Sequence, residues 1–252
     1  MRIGCRNKYI GLALLFLFCR VPAQPLSAVD VIVAGSNGNG TVTIKGSESD
    51  LTDLAGGIRS AFQGRVRNEL ILPFSDLAGQ SCFEKITTFF NACDSNDILI
   101  TVWIGPWSGN RRNVTATGFL NTNEPGLTVD YLLNFIRLMP ARNSFNFVIA
   151  PGRYSFPVAV LKGYARSAAS GGKHLILMGA LQRMSYNSMI EGFINAFEKM
   201  QEWKHLDLNR NGEVTASEWL ATFEKHNRED KLTMMPYWLE RGADIPLLHI
   251  AK

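Results

Sequence analysis

Charge is scarce in this sequence. Only 19% of its 252 residues are Asp, Glu, Lys or Arg, below the usual quarter. With 46% hydrophobic residues, the composition excludes a disordered, collagen-like or coiled-coil chain. Internal repeats and low-complexity linkers are lacking. The length suits one large domain, or two small ones, with a real core. Histidine is sparse, at His174, His205, His226 and His249, and so is cysteine, at Cys5, Cys19, Cys82 and Cys93. Catalytic chemistry that depends on a thiol and an imidazole therefore has few residues to draw on.

The N-terminal apolar run, Tyr9 to Cys19, has 11 residues, too few to span a bilayer, which takes about 20. Arg2, Arg6 and Lys8 precede it, Arg20 ends it, and Val21-Pro22-Ala23 follows. Residues 1–23 therefore read as a signal peptide cleaved after Ala23, or alternatively after Ala28. The expectation is a secreted protein, extracellular or periplasmic, with no stable membrane anchor after cleavage. Phe18 in front of Cys19 argues against a lipoprotein site. The formal charge of +4 comes from 26 basic and 22 acidic residues, and residues 1–23 hold four basic and no acidic ones. The mature chain thus carries 22 of each, which removes any electrostatic case for nucleic acid. Cys82 and Cys93 flank a helical segment that would separate them by roughly 16 Å, whereas a disulfide needs Cα atoms within about 7 Å. Two buried thiols are expected. Asn39-Gly-Thr41 and Asn113-Val-Thr115 are N-glycosylation sequons, of consequence only in a eukaryotic host.

Strand and helix patterns then alternate. Asp30–Ala34, Glu69–Phe74, Asp97–Ile104, Asn146–Ala150 and Lys173–Met178 read as strands. Ser49–Phe62 is helical, with Leu51, Leu54, Ile58 and Phe62 on one face. Further helices are read at Gln80–Ala92, Thr128–Leu138, Pro157–Ala169, Met189–Trp203 and Ser217–His226. This alternation predicts an α/β fold with a doubly wound, mostly parallel sheet and right-handed crossovers. Ligands bind such sheets beyond the carboxyl ends of the strands, here Gly35–Gly40, Gly105–Asn113 and Pro151–Ser155. A C-terminal helix–loop–helix, 204–228, follows the main domain, 29–203, and the tail 229–252 is expected to pack back on it.

Residues 207–218, DLNRNGEVTASE, match a twelve-residue EF-hand calcium loop. Asp207, Asn209 and Asn211 offer side-chain oxygens at positions 1, 3 and 5, and Gly212 is the turn glycine at 6. Glu213 offers its carbonyl at 7, Val214 is the apolar anchor at 8, Thr215 stands at 9, and Glu218 is the bidentate carboxylate at 12. Calcium, a hard cation wanting six to eight oxygens, fits this donor set. Only Asp207 and Glu218 bring side-chain charge to the ion, and no partner EF-hand is visible. Affinity on the order of 10⁻⁴ to 10⁻³ M is expected, that of an extracellular brace rather than a sensor.

The run Asn96-Asp97-Ile98-Leu99-Ile100-Thr101-Val102-Trp103-Ile104-Gly105-Pro106-Trp107 is followed by Gly118-Phe119-Leu120 and a helix over Leu127–Ile136. Phe147-Val148-Ile149-Ala150-Pro151-Gly152-Arg153-Tyr154-Ser155, Leu175–Ala180, Ser185–Ser188 and Gly192–Phe197 come after it. In order and spacing these segments resemble the caspase-like cysteine peptidases, which include caspases, metacaspases and legumain, over about residues 29 to 226. The resemblance implies a catalytic His after the first of these strands and a nucleophilic Cys after the next. This chain has Pro106 and Gly152 at those positions. Proline accepts no proton and glycine has no nucleophile, so the dyad is vacated. Ser108 and Ser155 lie in the same loops without a His or Lys at motif spacing, and Arg111, Arg112 and Arg153 either make the cleft cationic, able to hold a carboxylate, or form a solvated basic loop.

The reading is a secreted, calcium-binding pseudopeptidase that binds a peptide or protein partner at the vacated cleft. Its rivals are a hydrolase using another residue set and a purely structural calcium-clamped module.

Overall fold

The structure, a computed structural model, describes residues 26–35, 48–62, 64–72, 80–105, 107–110, 113–119, 129–149, 172–180, 186–201, 205–241 and 244–249. The signal segment, the Asn39 sequon and the expected helix Pro157–Ala169 lie outside them. Among the described residues, no helix is long and apolar enough to cross a membrane.

The chain runs β1 (Val29–Gly35), α1 (Glu48–Ala61), β2 (Val66–Leu72), α2 (Gln80–Ala92), β3 (Ile98–Ile104), β4 (Trp107–Asn110), β5 (Asn113–Phe119) and α3 (Val129–Leu138). It continues with β6 (Asn143–Ile149), β7 (Gly172–Ala180), α4 (Tyr186–Lys199), β8 (Glu213–Thr215), α5 (Ala216–Glu229), β9 (Leu232–Arg241) and β10 (Pro246–His249). Six strands form one sheet in the order β2-β1-β3-β6-β7-β9. The first five are mutually parallel and β9 is antiparallel to β7.

Alternation along each strand builds two cores. Ile98, Ile100, Val102 and Ile104 of β3 face the core shared with α1, α4 and α5. Leu99 and Trp103 face the core shared with α2 and α3. The fold is thus the expected doubly wound α/β sheet, and β3 is buried along its whole length. On the first face, Phe147 of β6 meets Phe193 and Phe197 of α4 and Phe223 of α5 at ring-centroid distances of 5.3, 6.0 and 5.5 Å. Trp219 stacks on Phe223 at 4.9 Å. On the second face, the Trp103 indole donates to Thr101 Oγ1 (2.8 Å), Thr101 donates to Asn146 Oδ1 (2.7 Å), and Asn146 Nδ2 donates to Ser144 Oγ (2.9 Å) and to the His174 carbonyl (2.8 Å). This buried chain of donors and acceptors fixes β3, β6 and β7 in register.

Several boundaries differ from the sequence reading. β6 starts at Asn143, three residues earlier than expected, because Ser144 and Asn146 are polar yet buried in that network. α4 stops at Lys199 rather than Trp203. The Met200 amide reaches both the Ala196 and Phe197 carbonyls, and Gln201 bonds Glu198, closing the helix with a tightened turn. The hairpin β4–β5 and the strands β9 and β10 were not foreseen.

Because Phe147 sits where two helices and the sheet meet, Phe147→Ala should cost about 3–5 kcal/mol. Urea unfolding measures this. A loss below about 1 kcal/mol would mean that the surrounding rings collapse into the space.

Candidate functional site

The six expected ligand residues lie in one loop, and amides of the same loop bond the side chains of Asp207, Asn209, Asn211 and Glu218. The Asp207 carboxylate accepts from the Asn211 amide at Oδ1 (3.0 Å) and from the Gly212 amide at Oδ2 (2.8 Å). Asn209 Oδ1 accepts from the Asn211 amide (2.9 Å), and Asn211 Oδ1 from the Glu213 amide (2.8 Å). Glu218, though a carboxylate, is only 8% exposed. Its Oε1 accepts from the Asn209 amide (3.1 Å), across the loop, and its Oε2 from the Thr215 amide (3.0 Å). Thr215 Oγ1 in turn accepts from the Glu218 amide at 3.4 Å, so Glu218 and Thr215 form the capping box of α5. The backbone turns at Arg210 (φ 60°) and Gly212 (φ 90°), and the second of these is the position that calls for glycine. The Glu213 side chain is turned to His249, with Oε1 3.3 Å from Nδ1, leaving its carbonyl as the group the loop can offer.

The donor set is two carboxylates, two amide oxygens, a hydroxyl and a carbonyl. Among the described residues no cluster of three or more His, Cys, Asp or Glu could hold a metal. An all-oxygen loop of this kind suits a hard cation such as calcium rather than a transition metal. The residue types present fit calcium on chemistry.

The second expected site is the cleft beyond the strand ends. β3 and β6 are neighbours, Ile104 lies opposite Ile149, and the Gly105 amide donates to the Ile149 carbonyl at 3.2 Å. The strands that lead to positions 106 and 152 therefore end side by side. Pro106, Gly152, Arg111, Arg112, Arg153 and Ser155 themselves lie outside the described residues. Ser108 lies in β4 and Asn113 opens β5.

Both described cysteines are free. Cys82 is buried, and Cys93, expected to be buried as well, is half-buried, with its thiol donating to the Phe89 carbonyl at 3.4 Å. Burial, with Asp30 adding to it, pushes the Cys93 thiol well above its ordinary value, the opposite of what a nucleophile needs. Cys82 belongs to the α2–α3 core, whereas His174 stacks on Phe145 in the other core, with the sheet between.

A cavity of about 530 Å³ between α2 and α3 is lined by Phe83, Phe90, Phe135 and Leu138. Phe90, Phe135 and Leu138 lie in the C-terminal halves of their helices, over the amino ends of the strands, whereas Phe83 lies in the first turn of α2. The amino ends also carry a polar cluster that the sequence reading missed. Asp30 of β1 and Asp97, which immediately precedes β3, are both buried, Arg67 of β2 bonds Asp97, and Asn68 Nδ2 donates to Asp30 at 2.8 Å. The signal was an acidic residue opening each of two apolar strands.

No protein-family model matches this chain, and no curated protein does. Among solved structures, it is similar to protein GSU0716 from Geobacter sulfurreducens (12% identity, covering 82% of this chain and 91% of that one, TM-score 0.46). It is also similar to the Drosophila initiator caspase Dronc (11% identity, covering 87% and 81%, TM-score 0.47).

Burial pushes the Asp97 carboxyl above its ordinary value, the neighbouring Asp30 reinforces this, and the Asp94 amide and Arg67 oppose it. The folded chain thus holds that proton more tightly than the unfolded chain. Asp97 contributes stability in acid, and this contribution is lost as pH rises through its folded value. Asp97→Asn should therefore gain on the wild type in denaturant midpoint between about pH 4 and pH 7. A variant that instead falls behind over that interval would show that Arg67 outweighs desolvation.

Proposed function

We propose that the chain is a secreted calcium-binding protein whose α/β domain is a caspase-like scaffold without a Cys–His dyad, acting by binding a peptide or protein partner at the cleft beyond β3 and β6. The observation that supports the calcium assignment is the loop itself, in which amides of Gly212 and Asn209 hold the carboxylates of Asp207 and Glu218 at its two ends. The pseudopeptidase reading is supported by Pro106 and Gly152 in the sequence and by the raised Cys93 thiol. The strand order, with β3 and β6 adjacent and helices on both faces, supports the caspase-like scaffold. In this reading calcium acts as a brace: when bound it neutralises Asp207 and Glu218, and the chain supplies the rest of the oxygen cage.

The burial of Trp219 and Phe223 in the main core favours a bracing role over a sensing one. An EF-hand sensor opens an apolar groove on binding, and here that apolar surface is already committed to the sheet.

Calorimetry should give one calcium site with Kd on the order of 10⁻⁴ to 10⁻³ M. At free calcium about ten times Kd, the folded state should gain about 1.4 kcal/mol, raising Tm by about 3–6 °C, and chelation should reverse the shift. Glu218→Gln should abolish the heat. No heat at millimolar calcium would refute the assignment. Incubation with broad peptide substrates should yield no cleavage, and cleavage blocked by a thiol alkylator would refute the pseudopeptidase reading.

A further inference from the structure

The calcium loop does not stand alone. Its short strand β8 pairs antiparallel with β10, Leu248 opposite Val214 and His249 opposite Glu213. The Ala216 amide donates to the Ile245 carbonyl at 2.9 Å. The Ser217 amide donates to Asp244 Oδ1 at 3.0 Å, and its hydroxyl donates to Asp244 Oδ2. Leu247 is fully buried in the same core as Val214 and Trp219. Residues 244–249 thus engage the half of the loop that carries Glu213, Thr215 and Glu218. A strand of three residues does not hold its extended form without a partner, and the sequence offers no second loop of this pattern to provide one.

We propose that segment 244–249 is the loop's built-in partner strand, so that calcium binding and docking of this segment form one linked equilibrium. The proposal rests on the calcium reading of Asp207–Glu218. β8 supplies the Glu213 carbonyl and the Thr215 amide that holds Glu218 Oε2. With β10 undocked, those oxygens must be ordered by the ion itself, and affinity falls. With β10 docked, they are positioned before the ion arrives. Linkage makes the effect reciprocal: calcium raises the docked fraction of the segment by the same factor as docking raises calcium affinity. β9, the edge of the main sheet, ends at Arg241, and β10 begins at Pro246. The segment therefore ties the loop to the sheet margin as well as to α5.

The test is amide hydrogen exchange on the full chain with calcium raised to about 10 mM, together with calorimetry on the wild type and Leu247→Ala. Calcium should slow exchange at residues 213–217 and 247–249 with a common half-effect concentration, leaving β1 and β3 unchanged. Leu247→Ala, which changes no charge, should weaken calcium binding about fivefold or more. Slowed exchange in the loop without slowing at 247–249, or unchanged affinity in Leu247→Ala, overturns the coupling and leaves the calcium reading standing. Absence of both heat and exchange protection in the wild type overturns the two together. Should Leu247→Ala not fold, the wild-type exchange pattern decides.

Discussion

Trp219 and Phe223 are buried against Phe147, Phe193 and Phe197, and the placement of the loop depends on that contact. The rings join α4, α5 and the central strand β6 into one block, with Phe197 and Phe223 only 4.7 Å apart between centroids. Aromatic residues bury large areas and favour tilted and edge-to-face pairs of this kind. Glu218 immediately precedes Trp219 on α5, so its carboxylate is aimed by an indole that the sheet core holds fixed. The loop between α4 and α5 therefore inherits its rigidity from the domain. For the proposed calcium site, this support would let few charged ligands suffice, even though they limit the electrostatic pull on an ion.

The same sheet aligns the strand ends. β3 is buried on both faces, and one-residue slippage would leave the Thr101–Asn146–Ser144 chain of hydrogen bonds unsatisfied in the interior. Unpaired buried polar groups are costly, so the network selects one register. At the opposite end of the sheet, Asp30, Asp97 and Arg67 mark where β1, β2 and β3 begin. Polar groups thus set register at the amino ends and midway along the strands, while apolar burial supplies the cohesion.

Much of this was legible in the sequence because the periods are strong. α2 was read to its residue limits, and the apolar faces of α1 and β3 point where the pattern put them. The proposed calcium loop could be read from sequence because its pattern lies within twelve consecutive residues. What escaped depends on distant partners. β9 contains Pro236, which argues against a strand until the segment is seen at the sheet margin, where a missing N–H is tolerated. The antiparallel pair β4–β5 lies in a stretch of sequence with no Asn-Gly or Asp-Gly hairpin signal. β10 is too short to announce itself, and its reason to be extended is β8, some thirty residues earlier. The amino-end cluster needed two acidic residues on different strands to be placed beside each other, which no local window reveals.

The position of β9 has a consequence for how the chain is made. β7 has its outer edge covered only by β9, which follows the loop and α5 in sequence. While synthesis proceeds, the five parallel strands can assemble, yet β7 presents unpaired amides and carbonyls until more than fifty further residues have left the ribosome. The final pairing is long-range and hence slow to nucleate. The nascent protein thus passes through a stage with an open, sticky margin, and a chaperone or fast translation of the last segment would shorten it.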